Sequence, residues 1–449
     1  MKMRIKQSTL TQGVIWKQLS IFALPILISN LLQQVYSMTD LIIVGNYIGK
    51  ESLAAVGASY ALINMIVGFF LGLSAGAGVI VAQYYGSNDE ENVQKTVHTA
   101  IAMCIVSGIL LTVLGIIMSP WLLKIMNTPE HLLPLANMYL QSYFLGMLGL
   151  VMYNLGSGIL RGVGDSFRPL LFLIVTVILN TVITVTFVVV FKWGVAGVGL
   201  ATAIAQIVSA LLVLMLLMHT SESYKVKLSK IRFHKESLMK IFKIGLPTGL
   251  QSLIVSFSNV LIQSSVNGLG ENAMAAATAA SKIGGFVYMP IAAFGIAITT
   301  FVGQNVGAKQ FERVKKGVNT CLVMSLSITI IIAIIINIFD REILAMFVKD
   351  AEVTLLGSEV IRIITSTYFI FAATEVLSGA IRGAGKAHVP MFVTLAMLCG
   401  FRIIWILFIV PLNSNISMVH LCYPISWVLS TLALLWYYYK GNITNQEVM

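Results

Sequence analysis

Long apolar runs alternate with short polar breaks along the whole chain, at intervals that fit a bilayer rather than a water-soluble core. Runs near 18–47, 53–83, 97–119, 135–160, 169–191 and 195–218 are followed by six more near 243–268, 273–303, 317–339, 355–381, 389–411 and 418–439. Each reaches or exceeds the about 20 residues with which a helix crosses hydrocarbon. The pattern predicts an all-α integral membrane protein of twelve transmembrane helices. The second and eighth runs, at about 31 residues, are longer than a bilayer needs and are expected to tilt, bend or project into water.

Composition agrees and narrows the class. Of 449 residues, 57% are hydrophobic and only 10% charged. Soluble domains carry about a quarter charged residues, so a soluble enzyme and a disordered chain are both excluded. The net charge of +11 would suggest nucleic acid in a soluble protein. Here its distribution points to topology instead. With the N-terminus inside, 21 Lys and Arg fall on inner segments, while the outer loops hold only Lys50, Lys124, Lys192, Arg341 and Lys349. The positive-inside rule therefore predicts a multi-pass protein of the cell membrane with both termini cytoplasmic. Three bases, Lys282, Arg362 and Arg402, remain within expected spans.

The expected organisation is a cytoplasmic tail over 1–17, a six-helix lobe over 18–218, a basic linker over 219–242, a second lobe over 243–439 and a tail over 440–449. The basic start, MKMRIKQSTL, lacks the short apolar run and small-residue cleavage site of a signal peptide. The region 219–244 carries Lys225, Lys227, Lys230, Arg232, Lys235, Lys240 and Lys243; it reads as a topology anchor, with a lipid or regulatory site as the alternative. Cys104, Cys321, Cys399 and Cys422 lie in apolar stretches without CxxC spacing, so neither a disulfide framework nor a zinc site is indicated.

The two halves repeat. At a shift of 221 residues Arg161-Gly162-Val163-Gly164 falls on Arg382-Gly383-Ala384-Gly385, Pro169 on Pro390, and Ser157-Gly158 on Ser378-Gly379. Val81, Gln83 and Gly86 fall on Val302, Gln304 and Gly307, and Val93, Lys95 and Val97 on Val314, Lys316 and Val318. Leu24-Pro25 matches Leu246-Pro247 at a shift of 222. Six spans per half is an even number, so both repeats begin on the same side of the membrane. They are expected to be parallel, related by a pseudo-two-fold axis along the membrane normal, around a central cavity that opens alternately to either side. Gly68, Gly72 and Gly76, and the pairs Gly158/Gly162 and Gly379/Gly383, have the spacing that brings helix backbones close together.

The opening LP…YSMTDLIIVG, the VAQYYG and VGQNVG that end the second and eighth spans, and the RGVGDSFRP and RGAGKAHVP after the fourth and tenth resemble the MATE (multidrug and toxic compound extrusion) family of the multidrug/oligosaccharidyl-lipid/polysaccharide flippase superfamily. The resemblance covers essentially the whole chain. It implies two six-helix lobes and export of organic cations or other amphipathic compounds coupled to inward Na⁺ or H⁺.

Of the 18 acids, only Asp40 and Glu375 lie well inside an expected span. A carboxylate at mid-membrane is costly and is a functional candidate by default. Depth counting groups Asp40 with Thr184, with Asn180 one turn deeper on the same face, with Thr202 and Gln206, and with Tyr139 and Tyr143. Oxygen ligands around one carboxylate suit Na⁺, and the same pocket suits a proton. Relatives similar to this chain have their N-lobe cation site at positions matching Asp40, Asn180 and Thr202, with Tyr139 nearby. Thr184 departs from the family, where an aspartate is common, and this weakens the case for tight Na⁺ binding. Asp40 is therefore expected to be the coupling residue, and a purely structural acid satisfied by hydroxyls is the alternative.

In the second lobe Glu375, Lys282 and Arg402 are expected to form a charge network or substrate site; a structural Glu375–Arg402 or Glu375–Lys282 pair is the plainer reading. The acids that some relatives carry in helices 7 and 10 are here Gln251 and Phe371 or Ala372, so that second cation site is not expected. Pro25 and Pro247 lie inside the first helix of each lobe, where proline permits a kink. Tyr36, Met38, Phe69, Phe70, Tyr288 and Met289 can line an adaptable cavity or simply pack.

No GxxxxGK[ST] occurs, and the six His form no HExxH or other ligand pair, so ATP, cofactors and enzymatic chemistry are not expected. The expected partners are a small amphipathic substrate and membrane lipid, with no nucleic acid or nucleotide and a monomer as the functional unit. The expected function is secondary antiport by alternating access. The alternatives are a flippase or exporter of a lipid-linked or polysaccharide precursor and, more distantly, a membrane-embedded transferase.

Overall fold

The computed structural model describes residues 10–126, 128–346, 348 and 350–440. The expected tails beyond them, and Lys349, lie outside the described residues. The first half contains α1 (Ile15–Ile43), which ends in a wide π turn at Val44–Ile48, then α2 (Lys50–Gly86) and α3 (Glu90–Ile125). The fourth run is two helices, α4 (Leu133–Phe144) and α5 (Met147–Gly162), bent by 49°. It is followed by α6 (Phe167–Val185), which ends in a π turn at Thr186–Val190, and by α7 (Gly194–His219).

The second half repeats this order with α8 (Lys235–Asn267), α9 (Glu271–Gly307), α10 (Phe311–Ile338) and a short α11 (Asp340–Ala345). The tenth run is again divided, into α12 (Ala351–Thr365) and α13 (Tyr368–Gly383), bent by 42°. Then α14 (His388–Val393) passes through a π turn at Thr394–Gly400 into α15 (Phe401–Ile404). The chain closes with α16 (Ile416–His420) and α17 (Cys422–Lys440). Among the described residues there is no strand, and ten helices are long and apolar enough to cross a membrane, or twelve counting each bent pair as one span.

Three helices start well over a turn before their apolar runs, at Glu90, Lys235 and Phe311, because polar first turns carry the helix past the hydrophobic stretch. In α3 the cap is explicit: the Asp89 carboxylate accepts from the Asn92 N–H at 3.1 Å, satisfying one orphan donor of the first turn. In α8 the added turns bury Ile241, so the expected linker is helical from Lys235. The two longest helices, α2 and α9, reach 37 residues each. Rows such as Ile109, Val113 and Ile117 on α3 stay exposed, as a lipid-facing helix requires.

The chain divides into two compact units. One contains 28–246, the other 10–27 together with 247–440. The divisions fall beside Pro25 and at Pro247, inside α1 and α8. Each proline removes one backbone N–H donor from its helix, so the two continuous helices are interrupted where unit membership changes.

Within the units, the VAQYYG end meets the start of α8, and the VGQNVG end meets the segment before α1. In the first unit Tyr224 is fully buried and the Lys240 ammonium donates to the Tyr84 hydroxyl at 2.7 Å. There the Lys227 N–H also donates to Nε2 of His98 at 3.0 Å. In the second, the Leu10 N–H donates to Gln304 at 3.0 Å, while Asn305 and Arg313 donate to the Leu10 carbonyl.

The repeat is visible in the backbone. Three pairs of left-handed φ angles lie 221 residues apart, at Gly49 and Gly270, Asn88 and Lys309, and Gly164 and Gly385, whereas Gly13, Lys192 and Gly194 have no such counterpart. The close helix approaches pair the same way. A methyl group on Gly158 would stand 2.8 Å from the Ser74 carbonyl oxygen, and one on Gly379 2.5 Å from that of Gly295. Gly162 and Gly383 meet the carbonyls of Gly78 and Thr299, again 221 apart. The glycine spacing is thus a packing device, joining α2 to α5 and α9 to α13.

The one-residue difference in shift also has a physical location. Pro25 is one residue farther from Gly49 than Pro247 is from Gly270, and the π turn at Val44–Ile48 takes up the extra residue. It begins four residues after Asp40.

Candidate functional site

In the first unit α1, α4, α6 and α7 bring the expected polar residues together. Asp40 is 6% exposed, Asn180 and Thr184 are fully buried, and Thr202 and Tyr139 are buried. Asn180 and Thr184 share a face of α6 one turn apart, and the Thr184 hydroxyl lies 3.5 Å from the Asn180 Oδ1. Thr202 on α7 donates to the Val198 carbonyl at 3.1 Å. Its lone pairs then accept from the Asn180 Nδ2 at 3.3 Å and from the Tyr36 hydroxyl at 3.1 Å.

Asp40 sits against this network. The Tyr36 and Thr184 hydroxyls are within hydrogen-bond reach of its carboxylate, and Tyr139, Tyr143 and Tyr60 surround it electrostatically. Its Oδ1 has no hydrogen-bond partner. A buried carboxylate oxygen left without a donor is unfavourable when ionised and can accept a proton or ligate a cation. Tyr36 has one hydroxyl hydrogen and two acceptors, Asp40 and Thr202; Thr184 likewise can turn to Asp40 or Asn180. The network can therefore rearrange with the charge of Asp40. Tyr36 was legible only as a cavity-lining aromatic, although it lies one turn before Asp40, and Tyr60 carried no sequence signal.

The second unit departs from the expected charge network. Glu375 on α13 faces Arg382, two turns along the same helix, and Tyr288. Neither expected pair forms. The α9 residue beside the acid is Gly295, whose added methyl would lie 3.5 Å from the Glu375 Oε2. Lys282 is thirteen residues earlier, about 20 Å along a helix, and is exposed. Arg402 is 2% exposed and spends its donors elsewhere, on Ser426 at 3.0 Å and Ser258 at 3.3 Å. Arg382 instead donates to Gln251 at 3.1 Å, and Gln251 to Thr394 at 3.0 Å. Arg362 lies in α12 of the bent tenth span, as its sequence neighbourhood suggests, but is half-exposed and pairs with Asp340 at 2.6 Å. Among the described residues no cluster of three or more His, Cys, Asp or Glu could hold a metal.

The repeated order of helices agrees with comparison against known proteins. The MatE family profile matches residues 25–186 and again 247–408. The chain belongs to the MatE family. Among its relatives is the probable multidrug resistance protein YoeA of Bacillus subtilis, 27% identical over 94% of this chain and 93% of the relative. The probable multidrug resistance protein NorM of Thermotoga maritima is 25% identical over 84% and 82% of the two chains. Among solved structures, an outward-facing multidrug resistance MATE family transporter of the MOP superfamily shares the fold at a TM-score of 0.90, with 23% identity over 98% of each chain. As a MatE protein with ten to twelve membrane-length helices, it is a multi-pass membrane protein.

Proposed function

We propose that this MatE protein is a secondary antiporter that exports amphipathic organic cations or drugs across the cell membrane in exchange for inward H⁺ or Na⁺. Asp40 is the coupling residue, and Asn180, Thr184, Thr202 and Tyr139 complete its pocket. The observation that carries this reading is the unpartnered Asp40 oxygen, buried in a span and ringed by hydroxyls and an amide from several helices. The names of the YoeA and NorM relatives support drug-like substrates.

In this mechanism the two repeats are lobes with both termini cytoplasmic. An ion entering from outside neutralises Asp40, the Tyr36 and Thr184 hydroxyls turn to Thr202 and Asn180, and α1 rearranges at Pro25. Substrate affinity falls and substrate leaves outward. After the lobes rock inward the ion departs, and the ionised carboxylate draws the hydroxyls back and favours substrate rebinding. Coupling resides in the difference of affinity between the two states. Pro247 supplies the matching break in α8. Glu375, with Arg382 and Tyr288, forms a second polar locus available to substrate.

Ethidium efflux from proteoliposomes, driven separately by ΔpH and by a Na⁺ gradient, tests the reading. Transport under one gradient, lost in Asp40→Asn, is the expected result and names the ion. Full gradient-driven transport by Asp40→Asn would overturn the role of Asp40. Absence of wild-type transport under both gradients would direct the assay to lipid-linked or anionic substrates.

A further inference from the structure

Arg402 raises a different question, because it is a buried cation in a membrane-length segment, and among the described residues no carboxylate pairs with it. Such a charge persists only where the protein supplies a compensating environment. That environment is made of acceptors. The Ser258 hydroxyl gives its hydrogen to the Leu398 carbonyl at 2.5 Å, and the Ser426 hydroxyl gives its own to the Tyr423 carbonyl at 2.9 Å. Both serine oxygens therefore turn lone pairs to the guanidinium. The Tyr423 ring covers it at 4.3 Å from the ring centroid, a cation–π distance. Two oxygen acceptors and an aromatic face, without one acid, form a nest for a cation.

Its register in the repeat is informative. Before the π turn Thr394–Gly400 the match is Pro169 with Pro390; directly after it, exposed Val182 falls with exposed Ile404, one residue later. Arg402 then stands where the first unit has Asn180. Tyr423 stands where it has Thr202 at the 221 shift, and Ser258 where it has Tyr36 at the 222 shift of the first helix. The Asp40 position becomes Ile262, which is buried.

We propose that Arg402 is the resident cation of the second unit: its guanidinium permanently fills the repeat counterpart of the ion pocket, so that this unit takes up no coupling ion. The inference rests on the coupling reading for the first unit only in its last clause; the nest itself is a property of the second unit.

The test removes the tethered head group and offers it back in solution. Arg402→Ala is expected to lower ethidium efflux on the order of tenfold, the effect of losing a charged hydrogen bond, and to lower the thermal midpoint in detergent. Millimolar methylguanidinium should restore a substantial part of both, and tetramethylammonium at equal ionic strength should not. Arg402→Lys, which keeps the charge, guards against misfolding and should retain more transport than Arg402→Met. Wild-type values in Arg402→Ala, or a loss that methylguanidinium does not relieve while Arg402→Lys is no better than Arg402→Met, would overturn the proposal. The thermal readout needs no gradient, so it separates failure of the nest from failure of the antiport assignment.

Discussion

The two units use one scaffold for opposite electrostatic purposes. In the first, helix positions 36, 40, 180 and 202 carry Tyr, Asp, Asn and Thr, and a carboxylate oxygen is left without a donor. In the second, the matching positions carry Ser, Ile, Arg and Tyr, and a cation lies among acceptors. The Gly158/Gly379 and Gly162/Gly383 contacts and three of the left-handed turns are nevertheless the same in both. Helix packing is thus separable from pocket chemistry: backbone approach fixes where the pockets lie, and a few side chains decide whether a pocket must take a charge or already holds one.

The largest effect that would break this comparison is at its acid. Asp40→Asn should reduce gradient-driven efflux by roughly 100-fold, near the upper end of usual coupling factors, while Ile262→Asn should leave ion dependence unchanged. Equal losses in both variants would erase the contrast.

The shared scaffold predicts symmetry where the pockets predict none. Gly158→Val and Gly379→Val each drive a branched side chain into a backbone carbonyl and should each cost about 3 kcal/mol or more. Thermal unfolding in detergent should register comparable losses; tolerance of one but not the other would show that the repeat does not pack alike.

A smaller effect sharpens the role of the first helix in each unit. Tyr36→Phe removes the hydroxyl shared by Asp40 and Thr202 and should weaken ion dependence about fivefold, as loss of one hydrogen bond does. Ser258→Ala should lower the thermal midpoint without moving the half-saturating ion concentration. The measurement is ion titration of transport beside a melting curve for each variant.

The smallest effect concerns a site outside the spans. Burial alone would raise the Asp340 carboxyl, but hydrogen bonds from Arg362 and Ser358 outweigh it and hold it below the ordinary carboxylate range. A depressed folded-state value gives stability that is present above the unfolded pKa, about 3.9, and is lost as pH falls through the lower folded one. Asp340→Asn should therefore flatten the acid limb of the melting-temperature profile below about pH 4 and lower the plateau above it.

Much of this was legible along the chain. Apolar runs of bilayer length could become nothing but helices, since each backbone group in hydrocarbon must be satisfied within its own segment. The repeat placed paired glycines and prolines, and the rarity of intramembrane acids singled out Asp40. Counting depth from span ends then grouped Asn180, Thr184 and Thr202 with it, because a straight helix converts sequence distance into depth.

The tertiary structure decided what depth counting could not: direction around each helix and register between helices. A π turn shifts both by one residue, and only folding shows where such turns fall; two of them put Asp40 opposite Ile262 and Asn180 opposite Arg402 in the repeat. Lys282 and Glu375 looked like partners by depth, yet Gly295 is the α9 residue beside the acid. Arg402 looked like a counter-charge, and it is held by serines whose hydrogens are committed to carbonyls. Which oxygen is left without a donor is set by the geometry of several helices at once, and no single stretch of sequence contains it.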